Sequence, residues 1–302
     1  MVSWNSKHET EKSIQRVLNS EGINVQIAVV DNNSSDGTCD YIKSNYPEVR
    51  LIENDENKGF SSACNQGIEH FLEQDVNFIF LLNTDLYVNT QTLACLTDAA
   101  DKSQQFGAIS PVVYHNDDDK RVWFEQGCVN WTTSASFHQT NGAPLIYSQD
   151  SDLDRSDERF VGNDYIPFCS ALFRPRVFKE VGMLPESYFL YYEDVDYCTQ
   201  LSDHGYKIIT DTQTSVQHEE SASSGGRRSP TATYYTARNH IQFAMRFRNR
   251  INIPVSIIWI VIWLSLLFGY RIITKQPEAA FAVAYGIYDG LCGRTGRFRY
   301  PQ

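Results

Sequence analysis

Four short apolar runs, each closing on polar loop residues and each followed by an amphipathic stretch, fill the first third of this chain and leave few folds open. The runs read as strands over 2–4, 25–30, 49–53 and 78–82, with helices over 9–19, 38–44, 61–73 and 91–102. In the first helix Ile14, Val17 and Leu18 share the inward face. Strand and helix alternating at this spacing build a parallel, doubly wound sheet, in which ligands bind beyond the carboxyl ends of the strands. The fourth run, Phe78-Ile79-Phe80-Leu81-Leu82, is apolar on both faces and stops abruptly at Asn83-Thr84-Asp85. A carboxylate at such a strand end is a candidate ligand-binding group, though taken alone it reads more readily as an acid that a helix N-terminus satisfies.

Beyond a further strand over 107–113 the pattern loosens. Residues 115–163 are polar and irregular, with acid runs at 117–119 and 150–158 that read as solvated loops and an aromatic patch of Trp123, Phe124 and Trp131. Order returns with a strand over 165–173 and a helix entered at Val177. The chain then reaches the aromatic cluster Tyr188-Phe189-Leu190-Tyr191-Tyr192, followed at once by Glu193, Asp194 and Asp196. Three acids this close to a core are costly unless something uses their charge. Helix amide dipoles at a helix start accommodate two of them at best. Strands over 206–209 and 216–218 follow, the second ending at His218, and then a Ser-Gly stretch to Gly226.

Composition removes several function classes. The chain has 302 residues, 42% of them hydrophobic, enough for one large domain or two small ones. Its seven cysteines form no C-x-x-C pair, so neither a disulfide framework nor a structural zinc site is indicated, and a reducing cytoplasm fits. No glycine-rich dinucleotide or P-loop signature follows any strand. The net charge of −11 is divided: from Gly225 onward 11 basic residues face Glu278 and Asp289, whereas the preceding part has 15 basic against 35 acidic. An acidic body argues against nucleic-acid binding. A basic tail beside the uncharged, apolar run 251–270 points to an anionic membrane surface. That run is long enough to span a bilayer, and Arg246, Arg248 and Arg250 before it balance Arg271 and Lys275 after it, giving no orientation preference. A helix lying in the cytoplasmic leaflet and a buried core helix stand beside the span as alternatives. Residues 279–291 add a second amphipathic element, with Arg294, Arg297 and Arg299 set for headgroups. The chain opens on MVSWNS without a basic-then-apolar leader, so it is expected to start in the cytosol, with its first strand short at the amino end.

The segments VSWNS, VVDNNSSDGT, NKGFSSACNQGI, LLNTDLYV, FCSALFRPRVFKEVGMLPESYFLYYEDVDYC, HGYKI, the His218 segment and YYTARNH resemble, in order, those of family 2 inverting glycosyltransferases. The resemblance is strongest to the rhamnosyltransferase-like branch that builds bacterial surface polysaccharides. It implies a GT-A fold: an α/β, mostly parallel, Rossmann-like sheet with helices on both faces, followed by C-terminal membrane-associating helices. It further implies a catalytic domain over 1–240, divided into a nucleotide-binding half (1–113) and an acceptor and catalytic half (114–240), with a membrane-associating region over 241–302. By the same resemblance Trp4, Asn5, Asp31 and Asn32 hold the base and ribose of a nucleotide-sugar, and Gly59, Phe60, Asn65 and Gly67 shape the loop and helix that close over it. Asn83-Thr84-Asp85 stands in place of a D-x-D metal motif, so Asp85, with His218 as second ligand, is expected to hold Mg²⁺ or Mn²⁺ on the diphosphate. Asp194 is the implied general base with Glu193 beside it, and Arg238 of YYTARNH assists on the acceptor or phosphate side. Arg227 and Arg228 read equally as surface charge and as part of a loop that orders when donor binds. The implied partners are a nucleotide-sugar, with dTDP-rhamnose or a UDP-sugar foremost, a saccharide or lipid-linked acceptor, and the cytoplasmic face of a membrane. Two other readings stay open: a sugar nucleotidyltransferase, whose glycine-rich Arg-Lys signature is missing, and an inactive glycan-binding scaffold, which the single acid of Asn83-Thr84-Asp85 allows.

Overall fold

The computed structural model describes residues 1–102, 105–116, 121–139, 159–219 and 229–298. The acid runs at 117–119 and 150–158, the pair Arg227 and Arg228, and Arg299 lie outside the described residues. The amino-terminal part alternates as the hydrophobic pattern predicts. Strands β1 (Val2–Ser3), β2 (Ala28–Asp31) and β3 (Arg50–Glu53) pair in parallel, joined by helices α1 (Lys7–Leu18) and α2 (Thr38–Asn45). Every residue of β2 is buried, the mark of a strand covered on both faces. Helix α3 (Phe60–Leu72) then leads to β4 (Ile79–Leu82).

The second sheet is mixed. It holds β5 (Leu86–Tyr87), β6 (Phe106–His115), β7 (Val122–Phe124), β10 (Phe160–Gly162), β11 (Ser170–Phe173) and β12 (Lys207–His218) together with β4. Parallel pairing recurs between β6 and β12, while β11 inserts antiparallel between β4 and β6. A small hairpin, β8 (Gly127–Asn130) and β9 (Ala135–His138), rises from the region that reads as irregular. Where the sequence suggests two strands over 206–218 there is one, interrupted by a register shift between Asp211 and Ser215. The interruption is anchored: buried Asp211 accepts hydrogen bonds from Arg159 Nε and from the Thr214 hydroxyl.

Helices α4 (Thr92–Lys102), α5 (Pro175–Val181) and α6 (Glu193–Asp203) complete the α/β body. Three carboxyl-terminal helices follow: α7 (Pro230–Arg246), α8 (Ile253–Ile273) and α9 (Pro277–Leu291). The boundary expected at residue 240 falls inside α7, and the one expected at 113 falls inside β6. Helix α7 belongs to both units. Eleven of its residues are buried, and its length is flanked by the body on one side and by α8 and α9 on the other. The α7–α9 contact is close because α9 presents Gly286 and Gly290, four apart, to the backbone of α7; a Cβ on Gly286 would sit 2.6 Å from the Tyr234 carbonyl oxygen.

Candidate active site

The residues that the resemblance implies for the donor stand at the carboxyl ends of the parallel strands. At the end of β1, Trp4 is 39% exposed. Its neighbour Asn5 faces the protein: its Oδ1 accepts from the Ser35 N–H at 2.8 Å, and its own N–H donates to Ser34 Oγ. At the end of β2, Asp31 is 1% exposed and accepts the Ser34 N–H at 2.7 Å, while Oδ2 is buried with no N–H or O–H donor. The Cys39 thiol is pushed up to about 12 by burial and by that same carboxylate. Asn32 is committed inward. Its Nδ2 donates to the Gly59 carbonyl and its Oδ1 accepts from Asn54 and from the Lys58 N–H, so it fixes the 57–60 loop.

Gly59 has φ +88°, and a Cβ there would meet the Phe189 carbonyl oxygen at 2.6 Å. Only glycine lets this loop touch the segment before α6, where the Phe60 N–H donates to the same oxygen at 2.7 Å. Asn65 bonds Leu184 in both directions and also donates to Glu186, tying α3 to that segment.

At the end of β4, the half-buried Asn83 donates its N–H to the Cys169 carbonyl. Asp85 Oδ2 stands 3.3 Å from His218 Nε2, both side chains nearly buried. Pairing of β5 with β12 aligns His218 with Leu86, and the Glu219 N–H donates to the Asp85 carbonyl. Sequence positions far apart thus present a carboxylate and an imidazole to one point. His218 Nδ1 is buried without a hydrogen-bond partner. One oxygen and one nitrogen donor suit a divalent cation that takes its remaining ligands from phosphate and water. No group of three such side chains converges among the described residues.

The three acids of α6 separate by environment. Asp196 is fully buried and bound by the Tyr188 hydroxyl, Gln200 Nε2 and Arg246 Nε, so it braces the helix start. Glu193 is buried with Oε2 unpartnered, and burial together with the Asp194 charge holds its carboxyl well above the usual range. Asp194 is half-buried, and desolvation raises it to about 6 against the lowering effect of the Val195 N–H, which donates to Oδ1 at 2.8 Å. Burial is the largest of the effects that lift Asp194.

The segment ahead of these acids is backbone of an uncommon kind. Phe189, Tyr191 and Tyr192 have φ of 63°, 67° and 73°, all in the left-handed region that non-glycine residues avoid. Arg238, expected to face substrate, is 1% exposed: it donates to the carbonyls of Tyr188 and Gly296 at 2.6 Å each and packs over Tyr235. Such a guanidinium has its donors turned to the protein interior. Its neighbour Asn239, which the sequence reading passed over, has Nδ2 within 3.1 Å of the Tyr188, Leu190 and Tyr191 carbonyl oxygens. His240 stacks on Tyr192 and bonds Ser134 Oγ, which in turn bonds Ser256 of α8.

Contacts run from the Asp85 side to the Asp194 side. The His218 ring lies 4.8 Å from Trp123, and Trp123 lies 4.9 Å from His138 of β9. Ser136 of the same strand bonds the Tyr192 hydroxyl, one residue before Glu193.

The family model for glycosyl transferase family 2 matches residues 1–182. The chain belongs to this family. A N-acetylglucosaminyl-diphospho-decaprenol L-rhamnosyltransferase of Mycobacterium tuberculosis (strain CDC 1551 / Oshkosh) is 26% identical over 214 residues, 67% of this chain and 68% of that protein. A low-salt glycan biosynthesis hexosyltransferase of Haloferax volcanii is 21% identical over 303 residues, 98% of this chain and 91% of that protein. The solved structure of a mannosyltransferase from Pyrobaculum calidifontis, in complex with GDP-Man and Mn²⁺, superimposes with a TM-score of 0.57 at 15% identity, covering 96% of this chain and 73% of that one. This family 2 protein is a glycosyltransferase of the rhamnosyltransferase-like branch with a GT-A fold. Neither the nucleotidyltransferase nor the inactive-scaffold reading fits that membership.

Proposed function

We propose that this glycosyltransferase moves a sugar, with inversion, from a nucleotide-diphosphate donor to a saccharide or lipid-linked acceptor, with Asp194 as the base. Rhamnose on dTDP or a UDP-linked hexose is the proposed donor, and the setting is cell-surface polysaccharide synthesis at the cytoplasmic face of a membrane. The observation that carries the reading is the environment of Asp194: a half-buried carboxyl raised to about 6, next to the loop Gly59 touches. A base with that proton affinity is largely ionised at neutral pH yet basic enough to take a hydroxyl proton.

In the proposed step the acceptor hydroxyl oxygen bonds to the anomeric carbon as the bond from that carbon to the diphosphate oxygen breaks. Asp194 takes the hydroxyl proton, and nucleoside diphosphate leaves. Glu193, whose proton affinity is raised by burial and by the Asp194 charge, adds less negative charge beside Asp194 than an exposed carboxylate would. Trp4 supplies a ring face to the nucleobase, and Asp31 Oδ2 is positioned to accept from a sugar hydroxyl of the nucleotide. Asp85 and His218 would hold Mg²⁺ or Mn²⁺, which neutralises charge on the departing diphosphate. Asn5, Asn32 and Asn65 act through the loops they fix. Two homologues named for work on glycans, one of them with a decaprenol-linked substrate, support the acceptor class.

Asp194→Asn tests the reading. Sugar transfer from a panel of nucleotide-sugars should fall about 10²- to 10⁴-fold with little change in donor KM, as expected for loss of a base. Wild-type turnover by the variant would remove Asp194 from the role. Chelation by EDTA should abolish transfer and Mn²⁺ or Mg²⁺ restore it.

A further inference from the structure

We infer that Asn239 is a positioning residue for the transfer reaction: its side-chain amide gathers the carbonyls of Tyr188, Leu190 and Tyr191 and thereby sets the left-handed turn that aims Asp194. The inference rests on the reading of Asp194 as base. Three observations carry it. Nδ2 lies 3.1, 2.7 and 2.8 Å from the three carbonyl oxygens. The orientation of the amide is fixed, because Oδ1 accepts from Arg238 Nε at 2.8 Å, and a flipped amide would set an oxygen against three oxygens. The backbone it holds contains three non-glycine residues with positive φ, and such backbone persists only where surrounding contacts over-determine it.

Asn239 touches neither Asp194 nor the proposed substrate positions. Its effect passes through Tyr192, the left-handed residue that caps α6 immediately before Glu193 and Asp194. Position 239 is fully buried, so the amide has no water to turn to, and its two protons serve only this turn. Arg238 reinforces the grip from the same helix through Tyr188, and the Phe189 carbonyl is held from the other side by Phe60. A short helical stretch, Arg238-Asn239-His240, therefore organises the whole loop: two residues by its carbonyls and the third by stacking on Tyr192. Loosening the turn admits water to Asp194. The titratable groups around that carboxyl are Glu193 and Cys198 on α6 and Tyr192 before it, with His240 of α7 behind Tyr192 and Cys64 of α3 beside Glu193. Arg246 of α7 is turned to Asp196.

The test uses Asn239→Asp, equal in size but set against the three carbonyl oxygens, and Asn239→Ala, with Asp194→Asn in parallel. Three quantities are read on the full chain: kcat and donor KM, the pH midpoint of kcat, and amide hydrogen exchange at Phe60 and over 186–193. Expected for both Asn239 variants are a kcat about 10- to 100-fold lower at near-normal KM, as for a misplaced catalytic group, a midpoint moved down from near 6, and faster exchange at Phe60 and Leu190. Wild-type kcat, midpoint and exchange overturn the inference. So does a lowered melting temperature with kcat per folded molecule and midpoint unchanged, since that is a structural role alone. If Asp194→Asn stays fully active the base reading fails by itself, and unchanged exchange in the Asn239 variants still sinks the grip separately.

Discussion

At the scale of single residues, two desolvated groups near the site shift in opposite senses. Desolvation raises Asp194 to about 6, so the folded state holds its proton longer than the unfolded chain does; the stability it contributes is greatest below the ordinary carboxyl range and is lost as pH rises toward 6. Burial lowers His240 to about 4, so it is neutral in the fold; its contribution is complete above 6.5 and is lost as pH falls toward 4. The sizes are about 3 kcal/mol for His240 and about 2 kcal/mol for the less buried Asp194. Asp194→Asn is therefore expected to melt higher than wild type at pH 7 while losing activity, the gap closing toward pH 4. His240→Gln, which keeps a partner for Ser134, is expected to lose less stability than wild type between pH 6.5 and 4. Melting curves across pH check both signs, and a wild-type slope in either variant refutes the assignment. The sequence made the acids conspicuous because three of them follow five apolar or aromatic residues. It did not reveal which one is free, because that depends on Tyr188, Gln200 and Arg246 converging on Asp196 from three places in the chain. Arg238 misled for a related reason: a cation in a polar motif reads as a ligand contact until the carbonyls that surround it are known.

At the scale of elements, hydrophobic period and loop chemistry made β1 to β4 and their helices legible to within a few residues, since each is specified by local pattern. The hairpin β8–β9 and the antiparallel entry of β11 were not legible. Short strands with mixed polarity are fixed by their neighbours: the Gly127 N–H takes Asn163 Oδ1, and the Val129 N–H takes Asp164 Oδ2. The α7–α9 contact was equally hidden, since two glycines in an apolar helix have no periodic signal of their own. Their role predicts a cost. Gly286→Ala puts a methyl 2.6 Å from the Tyr234 carbonyl oxygen, and backbone cannot yield as a side chain does, so about 1–3 kcal/mol of stability should be lost by denaturant unfolding. Gly290→Ala meets the Arg238 carbonyl oxygen at 3.0 Å and should cost less. Because Arg238 also holds Gly296, and the Phe298 N–H donates to the Tyr235 hydroxyl, separating α9 from α7 is expected to loosen the catalytic loop and lower kcat with it. Equal stability for Gly286→Ala and wild type would show that the helices do not depend on that approach.

At the scale of the whole molecule, the proposed contact with a membrane depends on α8. It is the one helix among the described residues long and apolar enough to cross a bilayer, with mean hydropathy 2.1, and only 17% of its apolar window is buried, which excludes a core helix. Its buried positions, Ser256, Leu264 and Arg271, fall seven or eight apart on one stripe. Ser256 meets Ser134 beside His240, Arg271 donates to Thr233, and Leu264 packs with Ala237 and Ile241 of α7 and Val283 of α9, so the stripe runs antiparallel to α7 while α8 rests mainly on α9. Since α7 is buried against the body of the fold and α8 is tied to it through Ser256, Leu264 and Arg271, that packing favours the proposal of a helix lying on a membrane over one crossing it. The opposite face, with Ile258, Val261, Ile262 and Leu266 half or more exposed, fits a helix lying in the plane of the interface. Charge plays a smaller part than the basic tail suggests. Arg246 and Arg250 pair with Asp196 and Asp203 of α6, Arg294 pairs with Asp289, and Arg271 is buried. Binding to vesicles is therefore expected to survive high salt, and alkaline carbonate should release the protein from membranes, as for a surface helix and unlike a span. Leu266→Asp combined with Ile258→Asp should weaken vesicle binding by more than tenfold, on the order of 1.4 kcal/mol or more, while leaving the melting temperature in place because both side chains already face outward. Retention in the carbonate pellet would overturn the in-plane arrangement and require α7 to part from the body.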